Sequence, residues 1–85
     1  MEKIRGKINY CYDKEVDVLY SYINKPRPAS SKELNNGVVL RYDPKSNKLV
    51  GFTIIDFKKR IKNGLLKSIP SFPEVNVSSL LKLSR

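Results

Sequence analysis

Residues 12–23, YDKEVDVLYSYI, set a tight polar turn directly against an apolar, tyrosine-rich run. An Asp heading such a segment accepts hydrogen bonds from amides two residues on, so Asp13-Lys14-Glu15 reads as a turn. Upstream, residues 7–12 alternate as a first strand, with Ile8, Tyr10 and Tyr12 on one side and Asn9 and Cys11 on the other. Residues 16–23 form the return strand. Val16, Val18, Tyr20 and Tyr22 share one face, and Leu19 and Ile23 make the other partly apolar. A strand apolar on both faces belongs inside a sheet or under cover on both sides.

A second stretch, residues 37–56, GVVLRYDPKSNKLVGFTIID, repeats the pattern of strand, Asp-led turn and strand. Residues 38–42 are the third strand, 43–47 a turn that uses Pro44, and 49–55 the fourth strand. Gly51 in mid-strand marks a bulge or a close backbone approach. Between the two stretches, residues 24–35 read as a mobile loop with a short edge segment near Glu33-Leu34. Pro26 and Pro28 there cannot donate to a ladder. Asn35-Asn36-Gly37 tolerates the positive φ of a tight turn.

At Asp56 the period changes. Asp56 is the expected N-cap, Phe57 and Ile61 stand at i, i+4, and Gly64 ends a short helix. Two turns of helix do not hold alone, so Phe57 and Ile61 must dock on the sheet. Residues 70–73 form an extended linker, and Asn76 or Ser78 caps a last short helix carrying Leu80, Leu81 and Leu83. The expected fold is α+β: a four-stranded antiparallel β-meander with one short basic helix and a C-terminal helical segment. It fills residues 1–85 as one domain, with its core in 7–56 and the basic helix and apolar tail in 57–85.

Composition narrows the chemistry. With 85 residues, one cysteine and no histidine, the chain has no internal disulfide and no Cys/His zinc site. Cys11 has no base beside it in sequence, and no glycine-rich phosphate loop is present, so the chain reads as non-enzymatic, with no cofactor and no metal. Neither a signal-peptide core nor an apolar run of about 20 residues is seen, which predicts a cytoplasmic protein without a membrane span. A domain this small with no staple gains burial from a second copy or a small protein partner, and a homodimer is expected.

The net charge is +9, from 17 Lys and Arg against 8 acids. Residues 44–85 hold nine basic and two acidic side chains, against eight and six in residues 1–43. That asymmetry favours anionic partners. Lys58, Lys59, Arg60 and Lys62, with Lys67 nearby, form a basic stripe suited to phosphate contacts; the bland reading is a solvated helix face. Basic residues in the helix's first turn oppose its dipole, which leans toward function. Tyr10, Tyr12, Tyr20, Tyr22 and Tyr42 are either a stacking platform for bases or, as expected here, a core face with hydroxyls at its rim. Asp13, Glu15 and Asp17 cluster carboxylates but lack the glycine and distant bidentate Glu of a calcium loop, so they read as turn residues. Phe72, Val75, Val77, Leu80 and Leu81 are too apolar for a free tail. They either close over the sheet or dock in a partner.

Tyr12, Asp13, Glu15, Asp17, Leu19 and Tyr20 fit YDxExDxLYI up to its final Ile, where Ser21 stands. Gly37, Val38, Leu40, Tyr42, Asp43, Leu49, Val50, Gly51, Ile54 and Asp56 fit GVxLxYDxxxxLVGxxI plus Asp, apart from one extra residue between Asp43 and Leu49. Together they resemble the small prokaryotic proteins grouped as domain of unknown function 2283, over roughly residues 8–56. Tyr22 and Ile23 depart from the charged residue more usual there, and the tail from Phe57 is longer than the common form. The resemblance implies a small β-rich fold and a toxin–antitoxin-like setting. The expected function is accordingly an antitoxin-like protein-binding module acting through a sheet edge and the apolar tail. The alternative is a nucleic-acid-binding protein using residues 58–62.

Overall fold

The computed structural model describes residues 6–34 and 36–84. Ile8–Asp13 (β1) and Val18–Ile23 (β2) pair as an antiparallel hairpin, in register from Ile8 opposite Ile23 to Asp13 opposite Val18. Its turn is built as the residues dictate. Asp13 Oδ1 accepts the Glu15 amide at 3.1 Å, and Asp17 takes the left-handed conformation at φ 56°. Val38–Tyr42 (β4) and Leu49–Ile55 (β5) form the second hairpin. Here Asp43 Oδ1 accepts the amides of Lys45 at 2.8 Å and Ser46 at 3.3 Å, and Asn47 is left-handed at φ 62°. Those amides hold the Asp43 carboxyl below the usual carboxylate range.

A fifth strand corrects the four-stranded expectation: Ser30–Glu33 (β3) pairs with β4. The strand order is β1-β2-β5-β4-β3, antiparallel throughout, so the sheet is not a simple meander. β2 lies beside β5, not beside its successor, and the proline-bearing loop carries the chain to the far edge before it returns inward. Side-chain chemistry explains the placement. Leu49–Ile55 is apolar enough for the centre, whereas Ser-Ser-Lys-Glu is exposed along its whole length and suits only an edge.

Directly opposed residues in antiparallel strands share a face, so the registers sort the side chains. Leu19, Ile23, Val38, Leu40, Phe52 and Ile54 are buried on one face. That face is covered by Phe57–Lys62 (α1) and by the segment beyond it, through Phe57, Leu66, Ile69, Phe72, Val75, Val77 and Leu80. Phe52 and Phe72 meet edge-on at 4.9 Å between centroids, and Tyr12 and Phe57 meet tilted at 5.6 Å. The tail closes over its own sheet. Its end, Ser78–Ser84, is a 3-10 helix, entered where the Ser79 amide reaches Asn76 Oδ1 at 3.4 Å.

The cap of α1 differs from the expectation. Asp56 is left-handed at φ 55° and makes no side-chain cap bond. Asp17 does so from the first hairpin: Oδ1 accepts the Lys58 amide at 2.9 Å, Oδ2 the Lys59 amide at 3.4 Å, and the Asp17 carbonyl the Phe57 amide at 2.9 Å. Asp56 sits too far into the left-handed turn to bend back, while the hairpin carries Asp17 to the helix end.

Candidate functional site

The other sheet face is left largely uncovered. Across it run two rows fixed by register: Asn9, Tyr22, Gly51, Arg41, Ser31, and beside it Cys11, Tyr20, Thr53, Val39, Glu33. Gly51 contributes no side chain, so a depression opens between Tyr22 and Arg41. β5 also bulges there: Arg41 opposes Gly51 and Tyr42 opposes Leu49, which leaves Val50 as the extra residue. The bulge turns Val50 away from the core cluster and into the wall of the depression. Pro26, Arg27 and Ala29 of the crossing loop close another side, and the resulting cavity measures about 260 Å³.

Electrostatics around the cavity are positive. Arg41 is half-buried, and its Nε is buried with no hydrogen-bond partner among the described residues. Arg27 lies near enough to Asp43 to add to the lowering of that carboxyl's pKa, behind the Lys45 and Ser46 amides. Tyr20 is 41 % exposed and Tyr22 half-buried, so both present ring surface on this side.

The five tyrosines are therefore divided. Tyr10, Tyr12 and Tyr42 pack against the core as expected, whereas Tyr20 and Tyr22 face outward. Val16, expected in the strand, lies in the turn and is exposed. Of the basic stripe, Lys59, Lys62 and Lys67 are exposed, and Lys58 and Arg60 are half-buried. Arg60 donates from Nε to the Ile55 carbonyl at 2.8 Å and lies against Gly37, where a Cβ would collide with the guanidinium. The dipole argument for this stripe weakens, because the Asp17 carboxylate supplies the negative charge at the helix start. The stripe belongs to the layer over the core face, across the sheet from Tyr20 and Arg41. Phe72, Val75, Val77 and Leu80 are buried in the chain's own core and Leu81 is half-buried, so the tail does not present them as one free surface.

Asp13 and Asp17 are engaged by backbone amides, and Asp17 Oδ1 also accepts the Tyr12 hydroxyl at 2.6 Å. Burial pushes Asp17 up, but the Tyr12 hydroxyl and the Lys58 and Lys59 amides outweigh it and hold the carboxyl below its ordinary value. The same bond to Asp17 pushes the Tyr12 phenol up to about 12. Among the described residues no three His, Cys, Asp or Glu side chains gather as a metal site, and no helix is long and apolar enough to cross a membrane.

Fold and site together define a small two-layer protein whose own C-terminal segment covers one sheet face and whose other face holds an aromatic, arginine-lined hollow. Residues 9–58 match the family described as protein of unknown function (DUF2283), and the chain belongs to that family. No curated protein and no solved structure matches it. The matched residues Asp13, Asp17, Asp43 and Gly51 are the ones that build both hairpin turns, the helix cap and the bulge. Arg27 and Arg41 were missed from sequence. The usable signal was Gly51, a gap in a strand whose outward neighbours include an arginine.

Proposed function

We propose that this protein is a non-enzymatic binding module that holds single-stranded nucleic acid on its uncovered sheet face. The observation that carries this reading is the pair of outward tyrosines beside Arg41 and Arg27, around one cavity, on a chain of net charge +9. Aromatic rings on an open sheet stack unpaired bases regardless of sequence, and flanking cations draw in phosphate and make the binding salt-dependent. The exposed Lys59, Lys62 and Lys67 add to the long-range attraction from the other layer.

The test is fluorescence anisotropy with labelled single- and double-stranded oligonucleotides across a salt titration. The single strand is expected to bind more tightly. Tyr20→Ala with Tyr22→Ala should weaken it by roughly tenfold or more at unchanged salt slope, since stacking is worth about 1–3 kcal/mol per base. A Lys58/Lys59/Lys62→Glu variant should lower the slope and leave the preference for single strands. Absence of binding at low salt would end this reading.

A second reading is favoured by Val18, Tyr20 and Ile55, which place apolar surface on the same face, Tyr20 and Ile55 being exposed. On it the protein is an antitoxin-like module that docks a small protein, or a second copy in a homodimer, against the sheet. Sedimentation that shows a dimer dispersed by Tyr20→Glu, with no oligonucleotide binding, would select it.

A further inference from the structure

We infer that the hollow over Gly51 is a pocket for one unstacked nucleobase, with Arg41 reading the acceptor edge of guanine; this rests on the nucleic-acid reading above. Shape comes first. The hollow lies where a sheet row lacks a side chain, between Tyr22 and Arg41, and the crossing loop brings Pro26 and Ala29 over it. At about 260 Å³ it is a recess for a single ring system and not a groove for a duplex. A base inside a helix shows only its edges, so only an unpaired nucleotide can present its face to Tyr22 and Pro26.

Chemistry then narrows the base. A guanidinium has donors and no acceptor, and Arg41 Nε is buried without a partner among the described residues. Arg41 lines the hollow, so its donor-only guanidinium favours a ligand that brings acceptors to that wall. Arg27 differs, since its charge is shared with Asp43. Two adjacent acceptors in the spacing of the guanidinium fork are O6 and N7 of guanine. Adenine places a donor, its N6 amine, beside N7 and is mismatched. The neighbouring Tyr20 carries the next base in the strand, because it stands one row along the same face.

The experiment uses the full chain and short oligothymidylates that carry one central guanosine, adenosine or cytidine. Dissociation constants are measured for the natural protein and for Arg41→Lys, which keeps the charge and loses the planar fork. The guanosine oligomer is expected to bind roughly tenfold more tightly than the adenosine one, in keeping with the usual worth of a bidentate contact. Arg41→Lys should erase that preference and leave the salt slope unchanged, with its thermal unfolding confirming an intact fold. Equal binding of all three oligomers, a preference for adenosine, or a guanosine preference that survives Arg41→Lys would overturn the inference while the single-strand reading stands. No binding of any oligomer would overturn both.

Discussion

Asp17 and Asp56 offer a matched comparison, because both are left-handed at nearly the same φ, 56° and 55°, and both flank the start of α1. Alanine strains both positions alike, so the difference between the two variants isolates the carboxylate. Asp17→Ala is expected to cost about 1–2 kcal/mol more than Asp56→Ala in urea unfolding, the ordinary worth of a helix cap. Equal losses would show that the cap bonds contribute nothing. Asp56 looked like the cap from sequence because caps are usually local; Asp17 acts on an amide 41 residues away, which no local pattern encodes. The pair with Tyr12 also sets a pH dependence. Asp17 has a folded pKa below its unfolded value near 3.9, so its contribution is present above about pH 4 and is lost as pH falls through the folded value. Tyr12 is raised to about 12 from 10.0, so its contribution is complete below pH 10 and is lost as pH rises toward 12. Tyr12→Phe should therefore be less stable than the natural protein at pH 8, with the gap closing between pH 10 and 12. A gap that stays constant would detach the phenol from the effect.

At the scale of elements, four strands and the short helix were legible because alternation, Asp-led turns and a change of period are written locally. β3 was legible only as an edge segment, since Ser-Ser-Lys-Glu has no apolar alternation and becomes a strand by pairing with β4. The pairing of β2 with β5 was not legible at all; either neighbour satisfies the same hydrophobic pattern. The sequence marks Gly51 as a bulge or a close backbone approach; the close approach is its own, and the extra residue of the bulge is its neighbour Val50. A Cβ on Gly51 would drive into the Ser21 carbonyl of β2. Backbone cannot swing aside as a flexible side chain can, so Gly51→Ala is expected to cost about 3 kcal/mol, the upper end for overpacking. Chemical denaturation measures this, and a loss below about 0.5 kcal/mol would mean that the bulge relaxes freely. The hollow was only half legible: Gly51 and Arg41 meet within the expected hairpin, but Tyr22 reaches them only through the β2–β5 pairing.

For the whole molecule, the second layer decides whether the sheet can exist in water. Phe72 and Val77 are among the most deeply buried residues, and Leu66, Ile69, Val75 and Leu80 join them over Leu19, Phe52 and Ile54. Truncation after Gly64 is expected to abolish cooperative thermal unfolding and to raise binding of a hydrophobic dye, because it uncovers the core face of a domain with little burial to lose. A truncated chain with an unchanged melting transition would show that the tail is dispensable. The strand order has a further consequence, in time. Residues 8–23 and residues 30–55 each contain pairings between chain neighbours, but the two parts are joined by one ladder, between residues 18–22 and 51–55. Closing that distant ladder is the slow search. Ile54→Val, on the seam, should retard refolding in stopped-flow measurements, whereas Ile8→Val in the outer hairpin should chiefly hasten unfolding. During synthesis the first hairpin waits with one edge unmatched until the last strand emerges, so the strand made last is the one around which the sheet is assembled.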